Sequence, residues 1–458
     1  MVQIPINKNK EAMRKDPIIK RHFISFDGGV RQDASYQRPD RYSMVERISK
    51  HSPIIARGGG YSYSAASFSE KSLVVDMRCF NRILSFDPQS GIVEVEAGMT
   101  IASLLEFATP RGFWLPLLPG YPEITIGGCI GANVHGKNPY RHGTFAKRVV
   151  DINLYHPVYG IRRISPESES EIFELTCGGY GLTGVILSAS LRLQPLAGDQ
   201  IVTVQTPVRN LAEGLEVTRQ ASMQYEFAYS FNELSPFPKT FGRGCVIGSE
   251  VLSGSVNSGK IIPKYFPITP ESRTRLPYSI WGGWRTRVIE HLYWLLETSR
   301  NKTKKENLFQ FVFPFAAYGK YFLFYGRKGL VEYQVIIPDE NVETFLSAAE
   351  KIILDNRMEG VMGSMKLFKG RQKFLRYEMD GVCVTFNFAR TERTLNSLPR
   401  LDKLVIAMGG LPNLIKDSRI PRDVVAACYP ELEKTRNALR NYDPDRLFRS
   451  ELSERLGL

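Results

Sequence analysis

The sequence has few cysteines, few histidines and no long hydrophobic run. Its six cysteines are spread over 458 residues, and none belongs to a C-x-x-C pair or lies beside a histidine cluster. This distribution argues against a metal site or a disulfide framework, and most of the cysteines are expected to be small core residues. No uninterrupted apolar stretch approaches the length of a membrane-spanning helix. The N-terminus carries charge throughout and lacks the apolar region of a signal peptide, so we expect a cytoplasmic protein.

The composition is that of a globular protein with a basic surface. Hydrophobic residues make up 43% of the chain, charged residues 23%, and the formal net charge is +13. The length indicates two domains, or one domain with a large insertion. A basic surface favours anionic lipids or phosphorylated substrates, but dispersed Lys and Arg residues are also typical of an ordinary solvated surface. Because no nucleic-acid-binding signature is present, we expect no nucleic-acid partner.

Short hydrophobic runs bounded by turn residues predict an α+β fold. The predicted strands comprise residues 53–56, 73–77, 92–97, 149–155, 185–193, 330–338 and 381–388. The predicted helices comprise residues 100–107, 342–354 and 397–408, with a further short helix within residues 443–458. We place Pro399 in the first turn of its helix, where proline is tolerated. After Pro195, glycines become less frequent and aromatic and basic residues more frequent. We therefore predict domain boundaries near residues 197 and 409.

Three glycine-rich segments stand out, at residues 57–64, 118–138 and 177–186. The first follows a predicted strand and continues into hydroxyl side chains. Glycines let the backbone approach a ligand closely, and consecutive exposed N–H groups bind anions such as a pyrophosphate. Such a loop can also be a plain turn, and it is neither a Walker A loop nor a G-x-G-x-x-G fingerprint.

The second segment contains a run of small residues that leads into His135 and Lys137. A core strand does not need such a run, whereas a planar ligand lying against the backbone does. A lone histidine is usually structural, but its position after this run favours a functional role for His135. The third segment again places glycines before a predicted strand.

In this order the segments resemble the FAD-binding domain of the vanillyl-alcohol oxidase / p-cresol methylhydroxylase (PCMH) family, and most of all its branch that oxidises decaprenylphosphoryl-β-D-ribose. The matching stretches are ARGGGYSYS, LVVDM, LPGYPEITIGG, HGKN, GGYGLTGVI, LVEYQVIIP, MKLF, KDSR and DPDRLFRSELSERLGL. They span nearly the whole chain. The resemblance implies a two-part FAD-binding domain of the PCMH type at residues 1–197 and 409–458. An α+β substrate domain built on an antiparallel sheet would be inserted at residues 198–408.

The resemblance also assigns residues that bind FAD. Many members of the family attach FAD covalently through a histidine in the first glycine loop. Here that position is Tyr61, so the resemblance implies noncovalent FAD. The expected FAD-binding residues are Arg57, Gly58, Gly59, Gly60, Tyr61, Ser62, Tyr63, Ser64, Gly120, Thr125, Ile126, Gly127, Gly128, Ala132, Asn133, Val134, His135, Ile186 and Asn413.

Lys416, His135 and Tyr63 are the expected catalytic residues. Hydride arriving at the flavin N5 leaves negative charge over N1 and the C2 carbonyl, and a fixed ammonium group stabilises that charge as it develops. Lys416 matches the family lysine at that place. His135 is a candidate general base for the substrate hydroxyl. Tyr63 matches a family tyrosine near the flavin.

Substrate contacts are expected from Lys137, Gln334, Lys366, Phe368 and Thr385. The lysines favour a phosphate-bearing substrate. Four positions depart from the family pattern. Asn413 stands in place of a tyrosine, Thr385 in place of a cysteine, Cys383 in place of an asparagine and Glu332 in place of a glutamine. These departures concern the substrate half and leave FAD binding unaffected.

The resemblance implies oxidation of a secondary alcohol on a sugar, most closely the 2-hydroxyl of a polyprenyl-phosphoryl ribose or a similar lipid-linked pentose. The 2-keto product would pass to a partner reductase of the short-chain dehydrogenase type, which completes epimerisation to arabinose for the cell wall. One alternative is a soluble aldonolactone or alditol oxidase that produces hydrogen peroxide. Another is a basic membrane-surface protein that has lost catalysis, and the presence of His135 and Lys416 argues against it.

Residues 281–305 allow two interpretations. Trp284, Val288, Leu292 and Leu295 fall near helical spacing and form an apolar stripe, with basic residues at both ends. Tryptophans with basic flanks are typical of a helix lying on a membrane surface, where a lipid-linked substrate would be found. An apolar stripe is also typical of a helix packed on a protein core. Under the first interpretation the protein contacts the inner membrane peripherally.

Overall fold

The computed structural model describes residues 18–48, 53–254, 265, 276–317 and 320–458. A four-stranded sheet contains β1 (Ile19–Ile24), β2 (Arg31–Gln37), β3 (Ile54–Arg57) and β4 (Leu73–Asp76), in the order β1-β2-β4-β3. β4 pairs in parallel with both β2 and β3. All four residues of β4 are buried, as is usual for apolar runs in parallel strands.

A second sheet of five strands is antiparallel. Its strands are β5 (Ile83–Asp87), β6 (Ile92–Glu96), β8 (Val149–His156), β9 (Gly160–Ile164) and β10 (Val185–Arg192), and a separate ribbon pairs β7 (Phe113–Trp114) with β11 (Gln194–Pro195). The order in the sheet is β5-β6-β10-β8-β9. The helices of this part are Tyr42–Ile48, Ile101–Ala108, Ile126–Gly131, Pro139–His142 and Ser170–Thr176. Thr100 caps the second of them by accepting a hydrogen bond from the Ser103 N–H, as the sequence predicts.

The following part of the chain forms an eight-stranded sheet whose neighbouring strands all pair antiparallel. Its strands are β12 (Gln200–Val208), β13 (Phe227–Glu233), β14 (Gly244–Val251), β15 (Lys302–Asn307), β16 (Leu330–Ile337), β17 (Gly360–Phe368), β18 (Gly381–Ala389) and β19 (Leu411–Pro412). The order is β15-β12-β14-β13-β17-β18-β16-β19. The helices are Leu211–Gln224, Gly283–Tyr293, Leu308–Val312, Pro314–Ala317, Lys320–Leu323, Val342–Asp355 and Glu392–Ala407.

Alternation along β16 separates a core face from a cavity face, because successive side chains of a strand point to opposite sides. Val331, Tyr333 and Val335 pack in a hydrophobic core with residues of the helices Val342–Asp355 and Glu392–Ala407. Glu332 and Gln334 face the opposite side and line a cavity. β17 and β18 show the same alternation, so one face of the sheet is a polar wall.

The C-terminal segment joins this sheet to the first one. After β19, it forms the helices Arg422–Cys428, Leu432–Tyr442 and Glu451–Leu456. The Ile54 N–H donates to the Leu447 carbonyl at 2.8 Å, and the Arg449 N–H donates to the Ile54 carbonyl at 3.1 Å. The two ends of the described chain therefore pack together.

The α+β class and the antiparallel sheet are confirmed, and the predicted strands agree with the observed ones to within one residue at each end. One helix prediction is wrong: the helix predicted at residues 397–408 begins at Glu392, so Pro399 lies in its interior. The start is set by Thr391, whose side chain accepts a hydrogen bond from the Thr394 N–H. Within the described residues, no helix combines the length and apolar character needed to cross a bilayer.

Candidate active site

A cavity of about 350 Å³ lies where the three glycine-rich segments meet the polar wall of the eight-stranded sheet. It brings together most of the residues that the sequence predicts for the site. Three of them do not line it: Ser64 and Ile126 are buried beside it, and Phe368 packs its ring against that of His135 at a centroid distance of 5.0 Å. The predicted residues that line it are Arg57, Gly58, Gly59, Gly60, Tyr61, Ser62, Tyr63, Gly120, Thr125, Gly127, Gly128, Ala132, Asn133, Val134, His135, Lys137, Ile186, Gln334, Lys366, Thr385, Asn413 and Lys416.

The first glycine loop presents backbone to this cavity. The N–H groups of Gly58, Gly59 and Gly60 donate no hydrogen bond to any of the described residues. Gly60 has a φ of +78°, which a residue with a side chain rarely adopts. A Cβ on Gly58 would lie 2.1 Å from the Thr125 hydroxyl oxygen, so only glycine lets the first and second segments touch. The loop is therefore built for a ligand that accepts hydrogen bonds from its backbone.

Tyr61 occupies the position where a histidine would carry covalent flavin. Its ring packs against Tyr121 at a centroid distance of 4.9 Å and against Phe26 at 5.9 Å. It lines the cavity as an aromatic wall.

His135 belongs to a hydrogen-bonded network at the polar wall. Its Nε2 lies 3.1 Å from Oε1 of Gln334, and its Nδ1 lies 3.2 Å from the Gly136 carbonyl oxygen. The same Gln334 oxygen accepts a hydrogen bond from Asn413 at 2.6 Å, and the Gln334 amide nitrogen donates to Thr385 at 3.0 Å. Burial, reinforced by the positive charge of Lys366, lowers the pKa of His135 to about 3. The imidazole is therefore neutral near pH 7.

Three lysines surround the cavity with different partners. Lys416 lies with its Nζ 2.9 Å from Oε1 of Glu332 and 4.2 Å from the centroid of the Tyr63 ring. Lys137 donates to the Tyr229 hydroxyl at 3.2 Å and to the Phe311 carbonyl, and its Nζ lies over both aromatic rings. Burial lowers the pKa of Lys137 and of Lys366. The ammonium group of Lys366 has no ion-pair or hydrogen-bond partner among the described residues.

Sequence reasoning noted Glu332 as a departure but gave it no role in the site. The structure pairs its carboxylate with Lys416. The alternation of β16 carries a signal that could have found it, since Glu332 lies two residues before the predicted Gln334 and so on the same face. Aromatic residues that line the cavity were also missed, among them Phe26, Tyr321, Phe322 and Tyr377.

These residues fit a dinucleotide cofactor with a flat ring. The N–H groups of the glycine loop donate to no described residue, so they can donate to anionic phosphates. A Cβ at Gly58 would clash with Thr125, so the loop needs glycine there. The ammonium group of Lys416 lines the same cavity and can stabilise a ring that gains negative charge. The cavity thus matches FAD in chemistry as well as in its glycine-lined shape.

Comparison with known proteins agrees with this geometry. An FAD binding domain profile matches residues 43–158. The chain is 30% identical over 421 residues to decaprenylphosphoryl-β-D-ribose oxidase of Mycolicibacterium smegmatis, an alignment that covers 88% of this chain and 89% of the relative. It is 28% identical to L-gulonolactone oxidase of Bos taurus over 38% of this chain and 39% of the relative. It is 29% identical to D-arabinono-1,4-lactone oxidase of Saccharomyces cerevisiae over 34% of this chain and 32% of the relative.

Proposed function

Because the chain belongs to the family of FAD-dependent oxidoreductases that includes decaprenylphosphoryl-β-D-ribose oxidase, we propose that it oxidises the 2-hydroxyl of a polyprenyl-phosphoryl ribose or a similar lipid-linked pentose. FAD is its cofactor, and the fold is of the PCMH type. The main observation in support of the proposal is that Lys366 lines the same cavity as Lys137 and Lys416. Its ammonium group forms no ion pair or hydrogen bond with another described residue. Three lysines around one cavity favour a substrate that bears a phosphate next to its sugar.

Bound in this cavity, FAD would supply the acceptor for the hydride of the carbinol C–H. In our proposal, Lys416 stabilises the negative charge that develops on the flavin side, held in place by Glu332 and the Tyr63 ring. Because His135 has a lowered pKa, it orients the substrate hydroxyl as a neutral hydrogen-bonding group and is a weaker general base than the sequence suggests. The hydroxyl proton released in the oxidation would pass to this neutral imidazole and from there to solvent. Gln334 holds His135 in position and is itself held by Asn413 and Thr385.

We propose that Arg57, the glycine loop with Ser62 and Ser64, and residues 125–128 and 132–134 bind FAD noncovalently, together with Gly120 and Ile186. Lys137, Lys366 and Phe368 would face the substrate. We also propose that residues 1–197 and 409–458 form the FAD-binding domain and that residues 198–408 form the substrate domain. Supporting this division, β12 to β18 all lie within residues 200–389, although β19 keeps the chain on their sheet until Pro412.

The product in this proposal is a 2-keto sugar that a reductase of the short-chain dehydrogenase type would complete to the arabinose epimer. The oxidation would take place in the cytoplasm or at the inner membrane. The competing function is an aldonolactone oxidase, supported by the two lactone oxidases, which align with only 38% and 34% of this chain.

Flavin bleaching under anaerobic conditions tests the proposal. We expect a prenyl-phosphoryl ribose to bleach the flavin absorbance of the purified holoenzyme, and L-gulono-1,4-lactone to leave it unchanged. Prenyl ribose without the phosphate is the matched control. With the wild type, we expect it to bleach the flavin more slowly than the phosphorylated substrate does. With Lys366→Met, we expect the two substrates to bleach the flavin at the same rate. If only the lactone bleaches the flavin, the proposed substrate class is wrong and the protein is an aldonolactone oxidase.

A further inference from the structure

The helix Gly283–Tyr293, which continues into the π-helical turn Trp294–Thr298, is packed with its polar side inward. Thr286 and Glu290 are the buried residues of the helix, at 2% and 9% exposure. Its large apolar side chains face outward; Trp284 is 72% exposed and Leu296 is 70% exposed. A surface helix normally buries its apolar stripe, so this orientation is the reverse of the usual one.

The exposed apolar side chains are concentrated in one patch, which we call the apolar face. It consists of Trp284, Val288, Ile289, Leu292, Tyr293, Leu295 and Leu296, seven of the sixteen large hydrophobic residues that are exposed among the described residues. Single exposed hydrophobic residues are ordinary, whereas a contiguous group marks a surface that binds another apolar surface. A local cluster of this kind requires an explanation that scattered residues do not.

Two contacts with a neighbouring segment hold the helix in this orientation. The hydrogen bond from the Gly282 N–H to the Thr286 hydroxyl, at 2.7 Å, lies within the start of the helix itself. The guanidinium of Arg287 lies over the Phe237 ring, and that of Arg243 lies over the Trp294 ring. Burial, together with the nearby Glu233 carboxylate, raises the pKa of Glu290, so its carboxyl group can stay uncharged inside the protein. The apolar face is therefore fixed toward the outside.

Basic residues border the apolar face. Arg285 and Arg287 are exposed on the helix, and Arg300, Lys304 and Lys305 follow it. Arg285, Arg300 and Lys305 form no ion pair with another described residue. Aromatic and leucine side chains beside such cations are the composition of a helix that lies in the interface of an anionic membrane.

We propose that the apolar face docks the protein on an anionic lipid surface. The helix lies next to the cavity: Trp281, two residues before it, packs at a centroid distance of 6.0 Å from Tyr321, which lines the cavity. Docking would therefore bring the cavity close to the bilayer, where the prenyl chain of a lipid-linked sugar stays while its head group reaches the flavin. Only this benefit for substrate delivery rests on the proposed function; the docking itself does not.

Sedimentation of the holoenzyme with phosphatidylcholine vesicles, with and without phosphatidylglycerol, tests the docking. We expect binding to the anionic vesicles at 0.1 M salt and release at 1 M, because the Debye length falls from about 10 Å to about 3 Å. The triple variant Trp284→Ser, Leu292→Ser, Leu296→Ser should bind at least about tenfold more weakly. Arg285→Gln with Arg300→Gln should lose the preference for phosphatidylglycerol.

The matched control is Val158→Ser with Ile161→Ser, which removes two exposed hydrophobic residues elsewhere on the surface. It should bind vesicles like the wild type. Flavin content of every variant reports whether it has folded. Equal vesicle binding by the triple variant and the wild type, or no binding at low salt, would overturn the proposal, as would self-association through this face in sedimentation velocity. Because the vesicles contain no substrate, failure here is distinguishable from failure of the proposed oxidation.

Discussion

Lys416 has two neighbours that restrict its ammonium group, the Glu332 carboxylate and the face of the Tyr63 ring. A side chain fixed in this way needs no reorganisation when charge develops beside it, and fixed charges of this kind account for much of enzymatic rate enhancement. The surrounding Gln334, Asn413 and His135 are likewise fixed by hydrogen bonds. At the scale of single residues, the cavity is preorganised.

Replacing Lys416 by Met should leave FAD bound and slow flavin reduction by about 10²–10³-fold, since one preorganised charge is lost. Stopped-flow absorbance under anaerobic conditions measures the rate. Lys403→Met, which removes an exposed lysine from the helix Glu392–Ala407, is the control and should reduce its flavin at the wild-type rate. An unchanged rate in Lys416→Met would remove this lysine from the mechanism.

Glu332→Gln should slow flavin reduction by about tenfold, because roughly 1.4 kcal/mol of transition-state stabilisation corresponds to that factor. The reason is that Lys416 loses the ion pair that positions it. In the Lys416→Met background, the same change should have little further effect, since residues that act through each other are not additive. Additive losses in this double-mutant cycle would assign Glu332 a role independent of Lys416.

The lowered pKa of His135 leads to a prediction for pH dependence. This imidazole gains its proton only as the pH falls toward about 3, so it stays neutral across the range in which the enzyme is assayed. The rate of flavin reduction should therefore show no histidine limb near the usual value of about 6.5. We would compare the pH profiles of the wild type and His135→Gln. A limb near pH 6.5 in the wild type that disappears in the variant would contradict the prediction.

At the scale of elements, each glycine-rich segment contributes backbone and the sheet contributes side chains. β16, β17 and β18 place polar residues on their cavity face because their other face packs against helices. The loop after β3 brings Gly58, Gly59 and Gly60 to the same cavity. A planar cofactor bound there would contact backbone amide groups as well as charged side chains.

The loop after β3 also supports our proposal that the flavin is bound noncovalently. Its Tyr61 offers no imidazole nitrogen for a covalent bond, and its ring is packed against Tyr121. Acid precipitation of the yellow protein should release the flavin into the supernatant, measured by its absorbance and by chromatography against FAD. Flavin that remains with the pellet would show a covalent attachment and contradict the prediction.

At the scale of the whole molecule, the cavity joins segments that are far apart along the chain. Its lining extends from Phe26 to Lys416 and includes residues of the first glycine loop, the eight-stranded sheet and the C-terminal segment. The Tyr63 and Ser64 N–H groups donate to the Ile415 carbonyl at 3.1 Å, so the loop and the lysine segment also touch directly. A ligand in this cavity contacts all of them at once.

FAD should therefore stabilise the whole fold. A ligand that binds only the native state at 100 times its dissociation constant adds about 2.7 kcal/mol. We expect the apoprotein to unfold at a lower temperature than the holoenzyme in calorimetry, and added FAD to restore the difference. AMP and riboflavin serve as controls and should each restore less. Identical unfolding temperatures with and without FAD would contradict a cofactor that bridges these segments.

Local patterns in the sequence determined seven of the strands and the three glycine-rich segments, and the family resemblance supplied 22 of the residues that line the cavity. Strand alternation and glycine loops are short-range properties, and motifs that resemble one family over nearly the whole chain were enough to assign Lys416 and His135 to the site. The sequence predicts the helix Glu392–Ala407 but places its start at residue 397, because Pro399 is typical of a first turn, whereas the cap at Thr391 sets the true start.

Only the tertiary structure decided how distant residues meet. The pairing of Glu332 with Lys416 joins positions 84 residues apart, and the low pKa of His135 results from burial and from Lys366, which lies on β17. The orientation of the helix Gly283–Tyr293 depends on remote residues, since Phe237 contacts the Arg287 guanidinium and Arg243 contacts the ring of Trp294, which follows the helix. Periodicity defines which side chains share a helix face, but the free energy of packing against remote residues determines which face is buried.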